Sequence, residues 1–142
     1  DKEYLLDGVY YKGEFNVTLD IRSMQRLFEE NNLPCFVLDF NQGVDVLSGD
    51  GLKNQIGNPV REAYKAHGNG VNFNLPSWDL MAVMFAVGQY DNLFTVGEKG
   101  TVGIDDNGKS TFEAGIGEHR LIYRAASASE FANVINEKLA SE

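Results

Sequence analysis

Apolar positions along this chain fall into runs whose spacing changes character past Leu93. Glu3 to Tyr11 (EYLLDGVYY) is dense in aliphatic and aromatic residues and is interrupted at Gly8, which predicts a buried strand leading into a loop at Lys12-Gly13. Asp20 is placed to cap a helix whose apolar residues Ile21, Met24, Leu27 and Phe28 recur at helical spacing, and Asn31-Asn32 with Pro34 stop it. Cys35-Phe36-Val37-Leu38 is a short apolar run just past that proline, the mark of a strand covered on both faces. Strand, helix and strand in this order predict a βαβ unit, hence a parallel sheet with covering helices.

Asn58-Pro59 is a helix start, because Asn caps and proline at the first helical position lacks only a donor that would be orphaned there. The helix should run from Val60 to His67 and end at Gly68, with Gly68 to Pro76 (GNGVNFNLP) as a loop. Ser77 is then placed to cap the most apolar helix, Leu80 to Val87, closed by Gly88; a helix apolar nearly all round is expected to be buried. Short β segments follow at Leu93–Val96, Thr101–Ile104 and Ser110–Glu113, the last after the turn Asp105-Asp106-Asn107-Gly108. His119 to Arg124 reads as a further strand. Ser127-Ala128-Ser129-Glu130 is a capping box opening a terminal helix with Phe131, Val134, Ile135 and Leu139 on one face.

The composition fits this globular reading: of 142 residues, 43% are hydrophobic and 23% charged, and one α/β unit with an antiparallel appendage accounts for the chain. A chain of this length buries roughly 68–70% of its unfolded surface, so a core needs no staples. Cys35 is the single cysteine, which excludes an internal disulfide. Twelve Lys and Arg against 21 Asp and Glu give a net charge of −9 with no basic cluster, which argues against a nucleic-acid partner. The longest apolar run, Leu80 to Val87, falls far short of the roughly 20 residues that span a bilayer, so no membrane partner is expected. The chain begins at Asp1 without an initiator Met or a signal-like segment, and is expected to start partway into a larger protein.

Familiar catalytic patterns are missing: there is no Gly-x-Ser-x-Gly elbow, no phosphate-binding Gly-Lys-Ser/Thr loop and no His-Glu-x-x-His helix. In Gly13-Glu14-Phe15-Asn16 a carboxylate and an amide stand two residues apart in a loop, where both can face a polyhydroxylated ligand; a polar turn with a helix cap accounts for the same residues. Ser77-Trp78-Asp79-Leu80 places a carboxylate in the first turn of a helix, where the dipole alone favours it. Trp78 either stacks on a planar ligand or packs as a core aromatic. His67 and His119 lack companions at metal-ligand spacing and read as structural or surface residues. Asp105-Asp106-Asn107-Gly108 lacks the spacing of a calcium-binding EF-hand loop and reads as a hairpin turn, while Asp45 and Asp50 stay unassigned.

These motifs, taken in order, resemble the C-terminal half of the inosine-uridine-preferring nucleoside hydrolase superfamily. The resemblance runs over almost the whole chain, through Gly13-Glu14-Phe15-Asn16, Asn58-Pro59-Val60, Ser77-Trp78-Asp79-Leu80 with Ala82-Val83, and a hairpin before His119-Arg120. It implies an open, mainly parallel α/β sheet with covering helices and a small antiparallel hairpin. It also implies that Glu14 and Asn16 hold ribose hydroxyls, that Asp79 ligates calcium, and that calcium-bound water attacks the anomeric carbon of a nucleoside while the base departs. Trp78 stands where some branches carry a histidine acid, and offers a stacking surface instead. Leu6-Asp7-Gly8 replaces the family's usual Met-Gly-Gly, which points to a shifted substrate class. The family's N-terminal aspartate cluster has no counterpart, so no catalytic residue is assigned and the chain by itself is expected to be inactive, binding calcium poorly. The expected partners are a nucleoside or related riboside, and either a second copy or a missing N-terminal half, since a sheet cut in the middle leaves an unpaired edge. The alternative is a non-catalytic nucleoside- or sugar-binding or assembly module derived from the same fold.

Overall fold

The computed structural model describes residues 3–6, 9–30, 33–68, 70 and 73–140; Asp7, Gly8, Asn31 and Asn32 therefore lie outside it. The protein is mixed α/β. A mixed four-stranded sheet runs in the order β3 (Cys35–Leu38), β8 (His119–Arg124), β6 (Phe94–Ile104), β7 (Ser110–Ala114), and two two-stranded ribbons accompany it. The chain divides into two compact units, Asp1–Val37 with Val96–Leu121, and Leu38–Thr95 with Ile122–Glu142.

In the first unit the expected single N-terminal strand is two: β1 (Glu3–Leu6) and β2 (Val9–Lys12) pair antiparallel, with Leu6 opposite Val9 and Glu3 opposite Lys12, in a ribbon separate from the sheet that holds β3, so the expected parallel βαβ unit does not form. Two helices follow, α1 (Phe15–Leu19) and α2 (Ile21–Glu30). Asp20 caps α2 as the spacing predicts, accepting the Ser23 N–H at 3.0 Å and the Ser23 hydroxyl at 2.7 Å, and these bonds hold its carboxyl below the usual range.

Strand β6 is one continuous element where two segments, Leu93–Val96 and Thr101–Ile104, were expected. At Gly100 the reason is close approach, because a Cβ there would stand 2.3 Å from the carbonyl oxygen of Glu113 on β7. The antiparallel register pairs Gly100 with Ala114 and Ile104 with Ser110 around the turn Asp105–Lys109. Asp105 Oδ1 accepts the N–H groups of Asn107 at 2.8 Å and Lys109 at 2.9 Å, and Gly108 takes the left-handed conformation (φ 78°) the turn requires. Strands β7 and β8 are consecutive in the chain yet flank β6 on opposite sides, so residues 115–118 must cross β6. Thr101 Oγ1 fixes that crossing by donating to the Ile116 carbonyl at 2.6 Å.

The second unit holds the main apolar core: Val46, Met81, Met84, Phe94, Ile122, Phe131 and Ile135 are all buried together. Phe94 meets Phe85 and Phe131 edge to face, with centroids 5.5 and 5.0 Å apart. Around this core lie α3 (Phe40–Gly43), the ribbon of β4 (Leu47–Ser48) with β5 (Leu75–Pro76), α4 (Pro59–His67), α5 (Trp78–Ala86) and α6 (Ala128–Ala140). The cap at Asn58 is as read from the sequence, its Oδ1 accepting the Val60 and Arg61 N–H groups, and the Gly68 N–H closes α4 on the Tyr64 carbonyl. The capping box of α6 also forms: Glu130 Oε2 accepts from the Ser127 N–H at 2.9 Å, and Ser127 Oγ accepts from the Glu130 N–H at 3.3 Å.

Helix α5 departs from the expectation of burial on all sides. Met81 and Met84 face the core, whereas Val83 is 59% exposed and Val87, just past its end, 54%. Apolar side chains surround this helix, but among the described residues a packed layer meets only one face of it.

Candidate functional site

Glu14 is the N-cap of α1, its backbone extended at φ −78° and ψ 140°. Its Oε2 accepts the Val17 N–H at 3.1 Å, which satisfies one of the amide groups a helix start leaves without a partner. Oε1 accepts from the Asn16 Nδ2 at 3.3 Å. The helix-cap reading of Glu14 and the ligand reading are therefore compatible in one geometry. Each carboxylate oxygen retains accepting capacity beyond its single bond, and Asn16 is exposed beside a half-buried Glu14.

The backbone under this pair is set by a close contact. A Cβ on Gly13 would lie 2.4 Å from the carbonyl oxygen of Gly108 in the β6–β7 turn, and 3.2 Å from Thr18 Cγ2. Thr18 is buried and its hydroxyl donates to the Phe15 carbonyl at 2.9 Å, so the single turn of α1 is tied at both ends. No sequence signal links Gly13 to Gly108; the long-range pairing of β6 with β7 presents that turn.

In the second unit, Trp78 opens α5 and is anchored. Its Nε1–H donates to the Phe40 carbonyl at 2.8 Å, its ring lies 5.2 Å from that of Phe40, and a Cβ on Gly43 would stand 2.5 Å from its Cδ1. Ser77 is the residue before α5, as read, but its hydroxyl makes no cap. It instead bonds Ser48 Oγ at 2.6 Å, and Ser48 in turn meets the Tyr64 hydroxyl at 3.1 Å. Both serines are buried, at 2% and 0% exposure, and this hydroxyl chain joins β4, α4 and the start of α5. The Ser77 hydroxyl, itself buried, finds its partner in this hydroxyl chain rather than at the helix end. Asp79, in the first turn of α5, is exposed, and among the described residues no hydrogen bond or ion pair engages its carboxylate.

Calcium takes six to eight oxygen ligands, and Asp79 offers at most two. Among the described residues no three His, Cys, Asp or Glu are gathered as a metal ion requires. The described residues do not by themselves fit a calcium site.

Other candidate carboxylates have structural partners. Asp45 pairs with Arg124 through both oxygens at 2.7 and 3.3 Å, and Asp50 pairs with Lys53. His119 is 4% exposed, with Nδ1 bonded to a backbone amide and its ring edge-on to Phe28 at 5.4 Å. His67 ends α4, where a basic group suits the helix dipole. Burial pushes the Cys35 thiol up, away from the thiolate a nucleophile needs. No family model, no curated protein and no solved structure matches the chain.

Proposed function

We propose that this chain is the C-terminal portion of a nucleoside-hydrolase-like protein and that it supplies the sugar-recognising side of the site. The observation that carries the reading is the Glu14–Asn16 pair, a capped carboxylate and a side-chain amide joined at 3.3 Å on an accessible helix start. A vicinal diol presents two O–H donors and two oxygen acceptors. Glu14 accepts from the donors through its remaining lone pairs, while the second Nδ2 hydrogen of Asn16 donates to a hydroxyl oxygen. By the same resemblance Trp78 and Asp79, which belong to the second unit, would serve the base and a metal ion. The family's N-terminal aspartate cluster has no counterpart in this sequence, so on this reading the chain alone binds a riboside without cleaving it.

Calorimetry with ribose, 2-deoxyribose and inosine tests this reading. Saturable binding that prefers ribose, weakened roughly tenfold by Glu14→Gln or Asn16→Ala, is expected. Absence of saturable binding, or equal binding of the deoxy sugar, would overturn it.

A second reading, a non-catalytic assembly module, is favoured by the exposed Val83 and Val87. Exposed apolar residues near one another at a helix end suit an association surface. Self-association of the chain, weakened by Val83→Lys, is its expected sign in sedimentation.

A further inference from the structure

Gln25, on α2, reaches the same hairpin turn that Gly13 touches. Its Nε2 donates to the Ile104 carbonyl at 3.2 Å and to Asp106 Oδ1 at 3.1 Å, across about 80 residues of sequence. These two bonds bracket the turn on the strand side and at its tip. Between them and Glu14 the packing is continuous: a Cβ on Gly108 would stand 3.1 Å from Thr18 Cγ2 and 3.3 Å from Ile21 Cδ1, and the Gly108 carbonyl lies against Gly13. Glu14 follows Gly13 directly, so the position of its cap depends on where the turn is seated.

We propose that Gln25 and Asp106 are positioning residues for the Glu14–Asn16 pair, clamping the hairpin turn against Gly13 and so fixing the carboxylate for a vicinal diol. The diol rests on the function proposed above; the clamp rests on the contacts alone. An amide at position 25 suits the task because its two hydrogens serve two acceptors at once, one in the strand and one in the turn. Asp106 needs only an acceptor oxygen, which asparagine also has.

The test is amide hydrogen exchange at Val17, whose N–H is held by the Glu14 carboxylate, together with the side-chain amide resonances of Asn16, in the full chain. Gln25→Ala and Asp106→Ala should each speed Val17 exchange roughly three- to tenfold and move the Asn16 resonances, while Asp106→Asn retains the wild-type behaviour. General loosening of the unit would instead speed exchange at Val102 and Val17 alike, and that result overturns the proposal. So does unchanged Val17 exchange in both alanine variants. Asp106 is exposed, so its variants keep the test available should Gln25→Ala fail to fold. A parallel titration with ribose separates the two readings: wild-type chain that binds no ribose removes the proposed function and leaves the clamp to the exchange data. Ribose binding by wild type that Gln25→Ala leaves intact removes the clamp's role in recognition.

Discussion

The backbone N–H of Val102 donates to Nδ1 of His119 at 2.9 Å, so a strand residue is held by an imidazole where a ladder bond would ordinarily serve. Val102 and His119 are both buried, at 6% and 4% exposure. Replacing His119 with phenylalanine preserves an aromatic edge for Phe28 but leaves that N–H without an acceptor. The expected cost is about 1–3 kcal/mol in urea unfolding. A variant as stable as wild type would show that the bond is dispensable.

Gly13→Ala tests the contact with Gly108. A Cβ held 2.4 Å from a backbone oxygen forces the two segments apart, since neither partner is a flexible side-chain end. A loss of roughly 1–3 kcal/mol is expected. Weaker ribose binding should accompany it, beyond what Gly103→Ala on the same hairpin produces.

Trp78 is the only tryptophan, so its fluorescence reports on one site. Trp78→Phe loses the bond to the Phe40 carbonyl and is expected to cost about 1 kcal/mol. If the exposed part of the indole receives a base, adding inosine quenches wild-type emission, whereas ribose alone leaves it unchanged. Equal response to both sugars would remove Trp78 from base recognition.

The capping box of α6 predicts a pH dependence. Bonds from the Ser127 hydroxyl and N–H hold the Glu130 carboxyl below its usual range in the folded chain. A group whose folded value is depressed contributes stability that is complete above the unfolded value and is lost as pH falls through the folded one. Glu130→Gln should therefore melt below wild type at neutral pH, and the two should converge in acid. A gap that persists at low pH would mean that charge is not its source.

Calcium added in excess over the chain should leave its melting temperature unchanged, because an ion raises stability only where the folded state binds it. A clear rise that disappears in Asp79→Ala would establish a site that the described residues do not show.

Local chemistry made the helix ends legible. Asp20, Asn58 and the Ser127–Glu130 box cap as read because each cap involves residues within three positions of one another. Non-local structure was less legible. The segments Leu93–Val96 and Thr101–Ile104 read as two strands until Glu113 is laid beside Gly100, Ser77 reads as a cap until Ser48 takes its hydroxyl, and Gly13 reads as part of a loop until Gly108 occupies the space. Glu14 and Asn16 were singled out as candidates by a family resemblance, and the contacts of Gln25 with Asp106 near them have no local signature. The nearly all-round apolar character of α5 predicted burial on every side, since composition reveals what a helix surface prefers and not whether a layer meets it.

The crossing between β7 and β8 meters chain length. Passing over one strand means bridging two inter-strand spacings, about 9.6 Å, and five Cα steps reach about 17 Å when extended. Deleting two of residues 115–118 would reduce that reach to about 10 Å, with nothing left to climb over β6. Lengthening the same segment costs little, since closure entropy grows only slowly with loop length. Natural variation in this connection is therefore expected to be one-sided, with insertions tolerated and deletions rejected.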